Sequence, residues 1–276
     1  YSNVFPKNDP DATWRARRSN EIWNLIRDGY DFRVLRGVTA YGINHNKFAV
    51  FDGRLAEFGS YNYSFTSENS HYENALFTTQ KNRVWAFKQY FDYLHDLSVP
   101  FAQAKENSWS QAVPKPPSGA QFGTVDFNGV QLPSVVFMPD GTVFEDAVVR
   151  AIDAAKKSVD VAMFALRSRL ITDALGRAKA RGVTVRMVMD ESQSTSEYFA
   201  PFVGWLASQG IEVKTLAGPN PDSEFPMAEK THHKFMILDG KLVETGSDNC
   251  TKRAYVDNYE NAHFLDDKTD AAAFSF

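Results

Sequence analysis

From residue 158 onward the apolar positions switch between two periods. "SVDVAMFAL" (158–166) is apolar at most positions and reads as a buried strand. "RLITDALGRAKARG" (169–182) repeats its apolar residues every three to four positions, predicting an amphipathic helix that stops at Gly182. "VTVRMVMD" (183–190) is the next strand, "FVGWLASQG" (202–210) a helix and "IEVKTL" (211–216) a strand. This alternation predicts a mixed α/β sheet covered by helices. "KFMILDGKLVETGS" follows, two apolar runs around Asp239-Gly240, which is the pattern of a hairpin. An equivalent hairpin turns at Asp52-Gly53.

The two hairpins belong to a larger repeat. Shifted by 187 residues, His45 falls on His232, Lys47 on Lys234, Asp52 on Asp239 and Gly53 on Gly240. Gly59, Ser60 and Asn62 fall on Gly246, Ser247 and Asn249, and "YENA" (72–75) falls on "YENA" (259–262). Identical polar residues in register over this span indicate internal duplication. The division predicted is a first copy over 1–103, a linker over 104–122 marked by Pro, Ser and Gly, and a second copy over 123–276. "IWNLIRDGYDFRVLRG" (22–37) matches "VGWLASQGIEVKTLAG" (203–218), so the first copy is expected to be N-terminally incomplete. "AFSF" (273–276) matches the start of "AFKQYFDYLHDL" (86–97), so the second copy is expected to be cut in its last helix and the natural protein to be longer.

Composition narrows the classes. The chain has 276 residues, 43% hydrophobic and 14% aromatic, enough to bury a large core. A formal net charge of -4 gives no whole-molecule basic field for nucleic acid, although Arg15, Arg17 and Arg18 offer a local patch. The single cysteine, Cys250, excludes an intramolecular disulfide and a cysteine zinc cluster, leaves the compartment undecided and is read as a packing residue. No run approaches the length of a membrane span, and "YSNVFPKNDP" has no apolar core of a signal peptide.

The repeated polar residues carry the chemistry. Residues two apart on extended chain share a face, so His45 projects with Lys47 and His232 with Lys234, while His233 points away. The hairpin returns Ser60 and Asn62, or Ser247 and Asn249, beside that pair. An imidazole, an ammonium, a hydroxyl and a carboxamide are a poor metal cage. They suit a tetrahedral oxyanion, with donors for its oxygens and a histidine for covalent or acid work. Such a histidine needs a carboxylate at its second nitrogen. Glu73 and Glu260, each 28 residues after the motif histidine, are the candidates. Asp52 and Asp239 read as turn formers at least as well as catalytic groups. His71, His95, His233 and His263 carry no functional assignment. Tyr61, Tyr63, Phe65 and Tyr72 are read as hairpin packing ahead of a lipid-facing rim.

"HNKFAVFDGRLAEFGSYN" and "HHKFMILDGKLVETGSDN" both resemble the H-x-K-x4-D-x6-G-S element, with a following Asn, of the phospholipase D superfamily. The resemblance covers most of 20–103 and 134–276. It implies two repeats, each a mixed sheet flanked by helices, joined around a pseudo-two-fold axis with one active site made by both motifs. It implies that His45 and His232 are the catalytic pair, His45 the nucleophile that forms a phosphohistidine. Lys47, Lys234, Asn62 and Asn249 would hold phosphate oxygens, Ser60 and Ser247 line the site, and Glu73 and Glu260 orient the histidines. No metal or other cofactor is implied, and one chain carrying both motifs would act as a monomer. The expected substrate is a phospholipid head-group phosphodiester. The alternatives are a metal-independent endonuclease on DNA or RNA, transfer to an alcohol as in cardiolipin synthases, and a non-enzymatic scaffold. The localisation stays unknown, a bacterial periplasmic or secreted setting being favoured over others.

Overall fold

Both Asp-Gly pairs take the left-handed conformation that a two-residue hairpin turn demands. The φ values are 52° and 62° at Asp52 and Gly53, and 55° and 62° at Asp239 and Gly240. Their twist aligns Phe48–Phe51 with Leu55–Gly59, and Lys234–Leu238 with Leu242–Gly246, as antiparallel pairs. The structure is a computed structural model that describes residues 20–39, 41–103, 114–220 and 229–274. Arg15, Arg17, Arg18 and most of the linker lie outside them.

The second hairpin is the middle of a seven-stranded mixed sheet. Its strand order is Glu212–Leu216, Thr184–Asp190, Ser158–Met163, Lys234–Leu238, Leu242–Gly246, Glu260–Leu265 and Val135–Met138. The first three run parallel and the remaining pairings are antiparallel. The strands and helices read from the sequence in this half are all present, with the helices at Arg169–Ala180 and Ala200–Ser208.

Period-two alternation explains why the central strand is apolar from Phe235 to Leu238. Met236 and Leu238 join the core on one face, formed with Val143–Ala154 and Arg169–Ala180. Phe235 and Ile237 point to the other face, where they meet residues of the first copy. There the long helix Lys81–Leu97 presents Val84, Phe87, Tyr90 and Leu94 from one face. Tyr90 donates its hydroxyl proton toward the carbonyls of Met138 and Glu260, 2.8 and 3.1 Å away, tying this helix to the second sheet. The two copies thus share a core.

Among the described residues the first-copy sheet has three strands, Phe48–Phe51, Leu55–Gly59 and Ala75–Thr78. The short strand Arg33–Val34 pairs with Val99–Pro100 instead of extending it. Two features depart from the sequence reading. The stretch read as linker ends in a 3-10 turn, Gly119–Phe122, whose buried Phe122 ring packs against Trp85 and Phe137. A hairpin, Thr124–Phe127 with Val130–Pro133, then turns at Asn128-Gly129, a signal as strong as the Asp-Gly pairs.

Candidate active site

Glycine opens the Gly-Ser element for a steric reason. A Cβ on Gly59 would lie 2.2 Å from the carbonyl oxygen of Asn74, and one on Gly246 would lie 2.1 Å from that of Asn261. Those carbonyls accept the N–H groups of Ser60 and Ser247 at 3.0 and 2.9 Å. The serine hydroxyls accept the N–H groups of Asn74 and Asn261 in return, both at 3.0 Å. Each motif serine is thereby locked to the Tyr-Glu-Asn segment of its own copy.

That segment serves the other copy. Asn44 bridges to Tyr259, and Thr231 pairs with Tyr72, both in parallel. The N–H of His45 donates to the Tyr259 carbonyl at 2.9 Å, and that of His232 to the Tyr72 carbonyl at 3.0 Å. The residue after each tyrosine is the candidate glutamate, so the carboxylates arrive crossed. His45 Nδ1 is 2.8 Å from Glu260 Oε2, and His232 Nδ1 is 2.8 Å from Glu73 Oε1. Equal spacing within each copy carries no hint of this exchange. The residues between histidine and lysine cross as well, Asn46 accepting from Asn261 at 2.8 Å and His233 meeting Asn74 at 3.3 Å. His233 is therefore an interface residue.

Both lysines are buried and donate to the carbonyl of their own motif histidine, Lys47 at 2.5 Å and Lys234 at 2.7 Å. Burial pushes Lys47 down to about 8; burial together with the charge of Lys47 pushes Lys234 down to about 7. Burial also lowers His45, and it lowers His232 to about 3 with the help of Lys234. Burial alone would raise both glutamates. The histidine hydrogen bonds on Glu73, and the charge and hydrogen bond of His45 on Glu260, hold them below the usual carboxylate range instead. At neutral pH the two imidazoles are neutral, each with Nδ1–H on a carboxylate and a free Nε2 lone pair.

Ser247 donates to Glu260 Oε2 at 2.6 Å, while Ser60 donates to Asn74 Oδ1 at 3.1 Å. Asn62 is half-buried, and Asn249 carries a buried Oδ1 without a hydrogen-bond partner among the described residues. Asp52 and Asp239 sit at the far end of each hairpin, roughly 16 Å along the strand from the motif lysine. Asp239 accepts the N–H groups of Lys156, Lys157 and Ser158 there, so it anchors the strand Ser158–Met163. The hairpin-packing reading of the aromatics fails in part. Tyr63 and Phe65 are 63% and 81% exposed, and Tyr72 is exposed too, although Tyr63 donates its hydroxyl proton to Glu57 of the hairpin and meets the edge of Tyr61. Cys250 is buried in the core.

Three neighbours escaped the sequence reading. Phe164 packs its ring 4.7 Å from that of His232 and 5.3 Å from Lys234 Nζ. Asn258 donates to Glu260 Oε1 at 2.9 Å. His71, at the position equivalent to Asn258, stands 3.5 Å from Glu73 Oε1. The repeated "YENA" pointed to the segment; nothing in the pattern separated these residues from ordinary polar ones.

Two α/β units that each lend a histidine and a lysine to one buried site, and each a carboxylate to the other's histidine, make a duplicated protein with a composite centre. A family model described as "Cardiolipin synthase, PLD-like domain" matches residues 4–95 and 148–275, and the chain belongs to that family within the phospholipase D superfamily. It is 32% identical over 133 residues to the human mitochondrial cardiolipin hydrolase, 47% of each chain. It is 29% identical over 127 residues to phospholipase D of Rickettsia prowazekii (strain Madrid E), 46% of this chain and 57% of that one. The chain spans about half the length of these curated relatives. The phosphatidylserine synthase of Haemophilus influenzae Rd KW20 shares the fold at a TM-score of 0.57 and 13% identity, over 84% of this chain and 59% of that one.

Proposed function

We propose that the chain is a phosphodiesterase of the phospholipase D type, acting on a phospholipid head-group phosphodiester through a phosphohistidine. The observation that carries this reading is the crossed pair of part-buried His–Glu contacts beside two buried lysines. Nε2 of His45 attacks phosphorus as the P–O bond to the leaving alcohol breaks, and His232 protonates that oxygen. His232, now neutral, takes a proton from water, whose oxygen displaces His45 from phosphorus. Both imidazoles rest neutral, as a nucleophile must. The acid's proton is favoured once a diester anion lies beside it, since a nearby negative charge raises an imidazole pKa. Lys47 and Lys234 donate to the non-bridging oxygens as charge builds.

A lipid substrate is supported by the exposed Tyr63, Phe65 and Tyr72, which flank Asn62 and Glu73 with apolar surface. The test is one preparation assayed on fluorescent phosphatidylcholine vesicles and on single-stranded DNA, each with and without EDTA. Turnover of the lipid, undiminished by EDTA, is expected. Cleavage of DNA alone would replace the substrate assignment, and loss on chelation restored by added metal would overturn the mechanism.

A further inference from the structure

The two copies differ at one position next to the carboxylates. In the second copy Asn258 satisfies Glu260 Oε1, and Ser247 and His45 satisfy Oε2. In the first copy His71 replaces the asparagine. Its Nδ1 lies 3.5 Å from Glu73 Oε1 and 3.4 Å from Ser67 Oγ, and its ring centroid is 5.5 Å from that of His232. The side chains of His71, Glu73 and His232 are only 10%, 5% and 9% exposed. His71 Nε2 and Glu73 Oε2 are both buried without a hydrogen-bond partner among the described residues. Copy one thus leaves polar atoms unsatisfied where copy two leaves none on its glutamate.

What collects here is electron pairs: two imidazoles and a carboxylate, with one ligating atom of each within 4.8 Å of the others. A phosphate oxygen has no use for such acceptors; a cation does. Metal–nitrogen and metal–oxygen bonds near 2.0–2.1 Å in a tetrahedral site put ligand atoms about 3.4 Å apart. The distances from Glu73 Oε1, 2.8 Å to His232 and 3.5 Å to His71, bracket that edge. Two imidazoles to one carboxylate favour zinc, cobalt or nickel over magnesium or calcium.

We propose that His71, Glu73 and His232 form an inhibitory site for a divalent transition-metal ion, present in the first copy's half of the centre and absent from the second's. A metal on His232 Nδ1 shifts that proton to Nε2. The imidazole then has no lone pair to accept a proton from water, and Glu73 is held by the metal instead of orienting it. His45 and Glu260 are untouched. The inhibition rests on the phosphodiesterase reading; the metal site does not.

The test uses the full chain freed of metal with EDTA and desalted, with cobalt(II) as probe. Wild type is expected to bind one cobalt with visible d–d absorption, to lose it to zinc and to melt at higher temperature with zinc. His71→Asn, which installs the second copy's residue, should lose the spectrum and the thermal shift. Zinc should inhibit hydrolysis of bis(p-nitrophenyl) phosphate. Against each protein's own metal-free rate, the half-inhibitory concentration should rise in His71→Asn by at least the roughly 10–100-fold that losing an outer-shell partner costs a metal site. Equal cobalt spectra in wild type and His71→Asn, or none in wild type, would overturn the site. Unchanged zinc inhibition in His71→Asn would overturn the inhibitory role. Cobalt binding through His71 in a protein that turns over no diester would support the site and count against the catalytic reading alone.

Discussion

Glu73→Gln and Glu260→Gln make the same change on the two histidines and should behave differently. On Glu73, His232 and His71 approach Oε1 at 2.8 and 3.5 Å, and Oε2 has no partner among the described residues. A glutamine can keep its oxygen at the Oε1 position and place its NH2 where Oε2 was, with no donor facing a donor. His232 then keeps its tautomer and loses only the charge on its acceptor. Charge-assisted hydrogen bonds are roughly twice as strong as neutral ones, a loss of about 1–2 kcal/mol. That converts to a fall in kcat of about 5- to 30-fold, with less than about 1 kcal/mol of stability lost. Glu260, itself fully buried, accepts from the partly buried His45 and the buried Ser247 on one oxygen and from the buried Asn258 on the other. A glutamine there must aim its NH2 at another donor. The variant should lose about 1–3 kcal/mol of stability, the cost of an unsatisfied buried group, as well as activity. Urea unfolding and steady-state turnover of the two purified variants measure both quantities. Glu73→Gln unfolding as readily as Glu260→Gln would refute the hydrogen-bond reasoning. A Glu73→Gln loss near 10⁴-fold, which a wrong tautomer produces in serine-protease triads, would show that the amide sits the other way round.

The buried Glu244 has no hydrogen-bond partner on Oε2 among the described residues, and burial raises its pKa from 4.5 to about 8. The folded state therefore holds a proton that the unfolded state has lost, and stability falls as pH rises from about 4.5 to 8; Glu244→Gln should add about 3 kcal/mol at pH 7 and nothing at acid pH, read by urea titration across pH. Lys234 near 7 and Lys47 near 8 should give kcat/KM an alkaline limb, since each becomes neutral as pH rises through its value; a profile flat to about pH 9 would contradict this. With an activated phosphodiester, which needs little proton donation, His232→Ala should still take up phosphorus on His45 and His45→Ala should not. Intact mass after an alkaline quench shows it, and the opposite result reverses the roles.

The elements most legible in the sequence were those whose cause is local. Asp-Gly between two apolar runs needs no tertiary information to turn at Asp52 or Asp239, and the period of 169–182 shows which helix face is covered. The histidines, lysines and glutamates were legible because duplication wrote them twice. What was not legible has causes that the apolar pattern does not carry. Asp239 looked like a motif residue, yet its carboxylate serves three backbone N–H groups at the far end of the strand. Phe65 looked like hairpin packing, but the Ser64 cap on Ser67 starts a helix that turns it outward. His71 carried no functional assignment, because only the folded chain brings His232 beside it.

The crossed carboxylates also say why the two motifs act as one. Tyr72 and Tyr259 pair with residues just ahead of the other copy's histidine, and the glutamate follows each tyrosine directly. The same short ladders that join the copies therefore deliver each histidine's only carboxylate among the described residues. Separating the halves would strip both imidazoles of their orienting groups and leave Glu260, fully buried, with an unbalanced charge. Assembly of the halves and formation of the site are one event. A substitution that loosens the shared core around Phe87, Tyr90 and Phe137 should consequently disturb both histidines at once, although none of these rings touches either.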